Sequence, residues 1–143
     1  MLLRDVMTRQ VECISPDETI QAAARKMRDL DVGPMPVCEN DRLTGMLTDR
    51  DIAVRCAAEG HDPKACRVRD EMTHDVVYGF EDQTIEQAEQ IMREKQIRRL
   101  LVLNRNKRLV GIVSLGDLAI RTGDPEQVGE VLHDVSEPVG ARH

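Results

Sequence analysis

One stretch of this chain is written twice, and any fold proposed for the chain has to accommodate both copies. Leu43-Thr44-Gly45-Met46-Leu47-Thr48-Asp49-Arg50-Asp51-Ile52 is matched by Leu109-Val110-Gly111-Ile112-Val113-Ser114-Leu115-Gly116-Asp117-Leu118. Each copy runs leucine, a variable residue, glycine, two apolar residues, a hydroxyl residue, two variable residues, aspartate and an apolar residue. The apolar residues ahead of the hydroxyl suit a short buried strand, and the residues after it suit a helix. Thr48 and Ser114 therefore stand at helix N-caps, with Asp51 and Asp117 in the first turns. Two chemistries fit that placement. One is a capping box, in which hydroxyl and acid satisfy N–H groups at the helix start, although Glu or Gln is the usual acid. The other is a nucleotide cradle, because a helix N-terminus favours phosphate and a nearby carboxylate can accept hydrogen bonds from ribose hydroxyls.

The duplication runs through most of the chain. Asp5-Val6-Met7-Thr8 aligns with Asp70-Glu71-Met72-Thr73, Thr19-Ile20 with Thr84-Ile85, Ala23 with Ala88, Met27-Arg28 with Met92-Arg93, and Val37 with Val102. One residue is gained in the loop 104–108 before Gly45 meets Gly111. Such self-similarity means two copies of one supersecondary unit. A unit of about 60 residues is marginal alone, so the copies are expected to pack on each other. The boundaries this suggests are 1–65 for the first repeat, 66–123 for the second and 124–143 for a tail.

Within the first repeat the pattern predicts a strand over 11–14 and a turn at Ser15-Pro16-Asp17-Glu18. A helix over 19–30 comes next, with Ile20, Ala23, Ala24, Met27 and Leu30 inward. Strands over 35–38 and 43–47 lead to a helix from 49 to about 58, closed by Gly60-His61-Asp62-Pro63. The second repeat gives a strand over 75–78, a helix over 84–95 with Ile85, Ala88, Ile91 and Met92 inward, strands over 100–103 and 109–113, and a helix over 116–121. A tail helix over 126–135 sets Val128, Val131 and Leu132 on one side, a stripe that docks on its own body or on a partner.

Composition narrows the function classes. The 143 residues are 41% hydrophobic and 32% charged, as in a soluble globular protein. One Phe, one Tyr and no Trp leave an aliphatic core and no base-stacking surface for single-stranded nucleic acid. A net charge of −6 disfavours a phosphate-tracking nucleic-acid binder. No apolar run approaches membrane-spanning length, and Arg4 and Asp5 interrupt any signal-peptide pattern. A cytoplasmic location is expected, with Cys13, Cys38, Cys56 and Cys66 as thiols rather than a disulfide framework. No nucleophile stands beside a base, so the chain is not expected to be an enzyme. Cys56, His61 and Cys66 are evenly spaced but lack a paired Cys-x-x-Cys, and no metal site is assigned to them. His74 and His133 are isolated.

With Val-Met-Thr at the front, Met35-Pro36-Val37 and Leu100-Leu101-Val102 in the middle, and Gly-apolar-apolar-Thr/Ser-x-x-Asp at the back, the chain resembles a tandem pair of CBS domains, or Bateman module. The likeness covers about residues 1–122 and is similar to the stand-alone bacterial proteins of the hypoxic-response kind. It implies an α+β fold of two pseudo-symmetric β-α-β-β-α repeats packed sheet to sheet with flanking helices. It also implies a regulatory module that binds adenosine-containing ligands (AMP, ADP, ATP, S-adenosylmethionine or NAD-type) in clefts between the repeats, with no cofactor required. Carried over, Asp51 and Asp117 would hold ribose hydroxyls, and Thr48 and Ser114 would face phosphate. Val11, Ile14, Val76, Val77 and Tyr78 would flank the adenine. Arg98 and Arg99 match the basic pair of AMP-binding members, where the first repeat has Gly33-Pro34. Arg50 could also reach a phosphate, although its counterpart is Gly116. One occupied site per chain is expected rather than two. The family commonly forms a disk-like homodimer that acts on a regulated protein. An alternative stands beside this reading: a redox-sensing or interaction module with empty clefts, in which Cys13 and Cys38 on adjacent strands form a redox pair.

Overall fold

The computed structural model describes residues 1–122 and 125–136. A one-turn helix, α1 (Leu3–Val6), opens the chain. The next helix, α2 (Ile20–Leu30), is started by Thr19, whose Oγ1 accepts from the Ala22 N–H at 3.1 Å, the usual N-cap bond. It stops at Asp31, which takes the left-handed conformation with φ 55°. The strands β1 (Met35–Glu39) and β2 (Arg42–Leu47) form an antiparallel hairpin turning at Asn40 and Asp41, both at positive φ. The single turn α3 (Asp49–Asp51) runs straight into a π-helical turn, Ile52–Ala57.

The second copy starts with α4 (Val68–Glu71), as the first starts with α1. It continues through β3 (Tyr78–Phe80), α5 (Ile85–Lys95), β4 (Arg99–Leu103), β5 (Leu109–Ser114) and α6 (Leu115–Thr122), and α7 (Pro125–Ser136) ends the described chain. In α5, Thr84 and Gln87 make a reciprocal capping box, and Gln96 ends the helix at φ 53°. In the second sheet β3 is parallel to β4, and β4 is antiparallel to β5. The fold is thus the expected α+β one, with two small sheets. The last helix lies against α5 and α6, where Arg93 Nε meets Asp134 Oδ2 at 2.6 Å. Of the stripe expected there, Leu132 is exposed. The side chains of Val128 and Val131, like residues 124 and 137–143 of the expected tail, lie outside the described residues.

Several elements differ from the sequence expectation for physical reasons. The strand expected over 11–14 shrinks to one bridge, Ile14 parallel to Val37, whereas its counterpart is a true strand shifted to Tyr78–Phe80. The aligned residues Pro16 and Glu81 explain the contrast. Glu81 N–H donates to the Leu103 carbonyl at 2.9 Å and extends the pairing, and proline has no N–H with which to do so. Leu30, expected inward, is exposed in the last turn of α2.

The compact units cut across the sequence repeats. One consists of Glu12–Val76, and the other joins Met1–Val11 to the chain from Val77 onward. Each repeat's leading turn has been exchanged. Leu3 N and Arg4 N donate to Gln83 O and Glu81 O at 2.9 and 3.0 Å, while the aligned Val68 N and Arg69 N donate to Glu18 O and Pro16 O at 2.9 and 3.0 Å. Leu3, Val6 and Met7 are accordingly buried with Met92, Leu100, Val102, Val113 and Leu118. Val68 and Met72 are buried with Ile14, Ile20, Met27, Val37 and Leu47. Both cores are aliphatic and sulfur-rich, as the scarcity of aromatics requires.

Candidate functional site

The duplicated motif sits where a strand feeds a helix in each unit. At the end of β2, Asp51 N–H donates to Thr48 Oγ1 at 3.0 Å, and Thr48 N–H donates to Asp51 Oδ2 at 3.0 Å. At the end of β5, Asp117 N–H donates to Ser114 Oγ at 3.1 Å, and Ser114 N–H to Asp117 Oδ2 at 3.3 Å. Both are capping boxes with aspartate in place of glutamate. Each cap uses Oδ2 of its aspartate and leaves Oδ1 to other partners.

The glycine of the motif has a separate cause. The Met-Thr that follows the exchanged turn crosses the strand there, bridging Met46 to Thr73 in one unit and Ile112 to Thr8 in the other. A Cβ on Gly45 would meet the Thr73 carbonyl oxygen at 2.8 Å, and one on Gly111 would meet Thr8 O at 2.9 Å and Met7 Sδ at 2.5 Å. Only a residue without a side chain allows the two backbones to approach so closely. The front and back motifs of the repeat are therefore two halves of one crossing.

Thr73 also enters the site, and sequence reasoning missed it. Its Oγ1 lies 3.4 Å from both carboxylate oxygens of Asp51. Arg55 Nε stands 3.9 Å from Asp51 Oδ1 and its guanidinium donates to Met72 O at 3.2 Å. Asp51 is only 9% exposed, and a carboxylate that deep needs such partners. The signal was present in the sequence as the repeated Met-Thr, but its partner across the crossing was not legible.

A CBS-domain family model matches residues 3–57 and 68–121. The chain belongs to the CBS-domain family. It is 45% identical over 134 residues to the CBS domain-containing protein YhcV of Bacillus subtilis, covering 94% of both chains. It is 40% identical over 117 residues to Hypoxic response protein 1 of Mycobacterium tuberculosis, covering 81% of both. The crystal structure of Hypoxic Response Protein I with two coordinated zinc ions superposes with a TM-score of 0.76 at 38% identity, over 85% of this chain and 98% of that one. Two more distant structures share the fold. They are the CBS domain pair of MJ0100 with 5-methylthioadenosine and S-adenosyl-L-methionine (TM-score 0.70, 22% identity, 88% and 98% covered) and CBSX2 with AMP (0.71, 21%, 87% and 98%).

In this CBS pair the remaining residues singled out from sequence fall unevenly. Arg99 is the ladder partner of Ser114, and the Arg98 carbonyl accepts from Leu115 N at 3.1 Å. The basic pair thus adjoins the second hydroxyl–acid junction, with both residues exposed. At the first junction Gly33 O accepts from Asp49 N at 3.1 Å, the same backbone bond without a cation. Arg50 is exposed on α3. Ile14 is buried in its unit's core, whereas Val11, Val76 and Val77 are half-buried. Tyr78 starts β3 opposite Leu101, its ring edge-on to Phe80 at 5.6 Å between centroids.

Cys13 and Cys38 flank the Ile14–Val37 bridge and bring their Sγ atoms to 3.2 Å without being joined. That contact pulls the Cys13 thiol below its ordinary pKa and pushes Cys38 above it. Among the described residues, no helix is long and apolar enough to cross a membrane.

Proposed function

We propose that this CBS pair is a regulatory, non-catalytic module that holds an adenosine-containing ligand carrying phosphate (AMP, ADP, ATP or an NAD-type nucleotide) and passes its occupancy to a regulated protein. The observation that carries the reading is the second junction. There the Ser114–Asp117 cap opens an eight-residue helix, and Arg99 lies directly across the ladder from Ser114. Asp117 Oδ1 would accept from ribose hydroxyls, the helix start and Ser114 would face phosphate, and Arg99 would supply the countercharge. Asp117 is half-buried and more accessible than Asp51, which is 9% exposed and lies beside Thr73 and Arg55. This inequality supports one occupied site per chain. The adenosine ligands held by the MJ0100 pair and CBSX2 support the ligand class.

A ligand biases such a module only by its differential affinity for two states, and the module would work as a cytoplasmic homodimer. Calorimetry with AMP, ATP and NAD on the wild type, Asp117→Ala and Asp51→Ala tests the assignment. Asp117→Ala is expected to abolish binding, with Asp51→Ala weakening it less. Binding undiminished in both would sink the proposal. Native mass spectrometry of freshly purified protein reads subunit number and retained nucleotide together.

A second reading is favoured by the Cys13–Cys38 contact alone. In it the module senses redox state: an external disulfide oxidant takes two electrons and two protons from the thiols and leaves a Cys13–Cys38 bond. Peptide mapping after mild oxidation would show that crosslink. If it forms while no adenosine ligand raises the melting temperature, this reading replaces the first.

A further inference from the structure

We infer that His61, Cys66 and Glu71 form a binding site for a zinc-class transition metal ion in the unit Glu12–Val76. One ligand atom from each of the three lies within 4.8 Å of the others, and His61 Nδ1 is 2.6 Å from Glu71 Oε1. The donor set decides the metal class. Magnesium and calcium take oxygen ligands, whereas an imidazole nitrogen, a thiolate and a carboxylate together suit zinc.

The fold does not require a carboxylate at this place. Glu71 aligns with Val6, a buried core residue of the other unit. Yet Glu71 is only 3% exposed, so this unit has put an acid where its twin has a hydrocarbon. A buried acid is costly unless paired, and here the pairing groups are themselves metal ligands.

The backbone holds the three donors in place. Glu71 ends α4, which is tied to Pro16 O and Glu18 O by Arg69 N and Val68 N. The Cys66 carbonyl accepts from Ile20 N at 3.0 Å, and Cys66 N donates to Asp62 O at 2.9 Å. His61 N donates to Cys56 O at 2.9 Å. A tetrahedral zinc ion wants its ligand atoms about 3.4 Å apart, given bonds of about 2.0–2.3 Å. Small rotations of the solvent-reaching His61 and Cys66 side chains close the wider gaps from 4.8 Å and open the 2.6 Å His61–Glu71 contact. The exposed His61 gives an entry path and leaves a fourth coordination position to water. Sequence spacing singled out Cys56, His61 and Cys66 but assigned no metal to them, and it passed over Glu71, because Glu71 sits inside the repeated Met-Thr segment.

The test uses tag-free full-length chain stripped with a chelator and offered Zn²⁺ or Co²⁺. Elemental analysis is expected to find one zinc per chain. Cobalt should give a thiolate-to-metal charge-transfer band together with tetrahedral d–d absorption. Cys66→Ser and His61→Asn, both at positions that reach solvent, should each weaken uptake by more than about tenfold, the scale of losing even an outer-shell partner. Both should also remove or shift the cobalt bands while far-UV circular dichroism stays unchanged, and Cys13→Ser should leave uptake intact. No uptake by the wild type overturns the inference. So does uptake that survives both substitutions, or that is lost only with Cys13→Ser.

Discussion

Set side by side, the two units share a backbone plan and differ in chemistry. In both, a Thr-capped helix is followed by a hairpin and a hydroxyl–acid cap, and a borrowed Met-Thr crosses a glycine. In the unit Glu12–Val76, Pro16 ends the parallel pairing at one bridge, and α3 gives way to a π-helical turn. All four cysteines also lie there, and Glu71 is buried where the other unit has Val6. In the other unit, Glu81 completes a three-stranded sheet, α6 is a regular helix and a basic pair lies beside the junction. The difference teaches that duplication keeps the order of elements and the Met-Thr crossing at the glycine, while local pairing, helix type and side-chain chemistry diverge.

Matched substitutions at aligned positions should separate the two units. The largest effect is expected at aligned core positions. Leu118 is fully buried, so Leu118→Ala should cost about 2–5 kcal/mol in urea unfolding. Its counterpart Ile52 is only half-buried, and Ile52→Ala should cost distinctly less. Equal losses would mean that the π-helical turn packs as well as α6.

The crossing glycines come next. Gly111→Ala and Gly45→Ala should each destabilise by about 1–3 kcal/mol, since the new methyl collides with backbone oxygen as well as with methionine sulfur. Gly116→Ala, whose Cβ would find only Ser114 Oγ at 3.7 Å, should be neutral or stabilising by up to about 1 kcal/mol. A destabilising Gly116→Ala would count against the close-approach explanation.

Cap removal is a smaller perturbation. Ser114→Ala and Thr48→Ala, measured without nucleotide, should each lose about 0.5–2 kcal/mol. Similar losses would show the two caps to be structurally equivalent even if only one junction holds a ligand.

The smallest effect concerns Asp82, which Arg105 clamps with two hydrogen bonds at 2.9 and 2.8 Å while its guanidinium covers the Phe80 ring at 4.2 Å. The Arg105 hydrogen bonds hold the Asp82 carboxyl below its ordinary pKa. Its contribution is therefore present above the unfolded-state value of about 3.9 and disappears as pH falls through the lower folded-state value. Asp82→Asn should lower the melting temperature slightly at neutral pH and not in strong acid. A pH-independent effect would point to packing instead.

Much of this was legible in the sequence. Thr19 and Thr84 marked helix starts, apolar spacing marked the inner faces of α2 and α5, and the turn residues placed both hairpins. The hydroxyl and acid of each motif were rightly placed at a helix start, and the bland capping chemistry is realised in full. The exchange of leading turns was not legible. Two near-identical Met-Thr segments face two near-identical glycine strands, and similarity cannot say which pairs with which. The strand over 11–14 failed because a run of apolar residues does not reveal that Pro16 withholds the next hydrogen bond. The roles of Thr73 and Glu71 stayed hidden because each lies in a motif whose backbone task was the visible one.

The traded opening turns also bear on how the chain is born. Leu3, Val6 and Met7 leave the ribosome well before Val102, Val113 and Leu118, the residues among which they are buried. The middle of the chain is contiguous and can condense on its own during synthesis, while the leading eleven residues wait in the open for Val113 and Leu118. Closing that long loop is the slow, entropically costly step, so the discontinuous half should be the last to gain protection from hydrogen exchange on refolding.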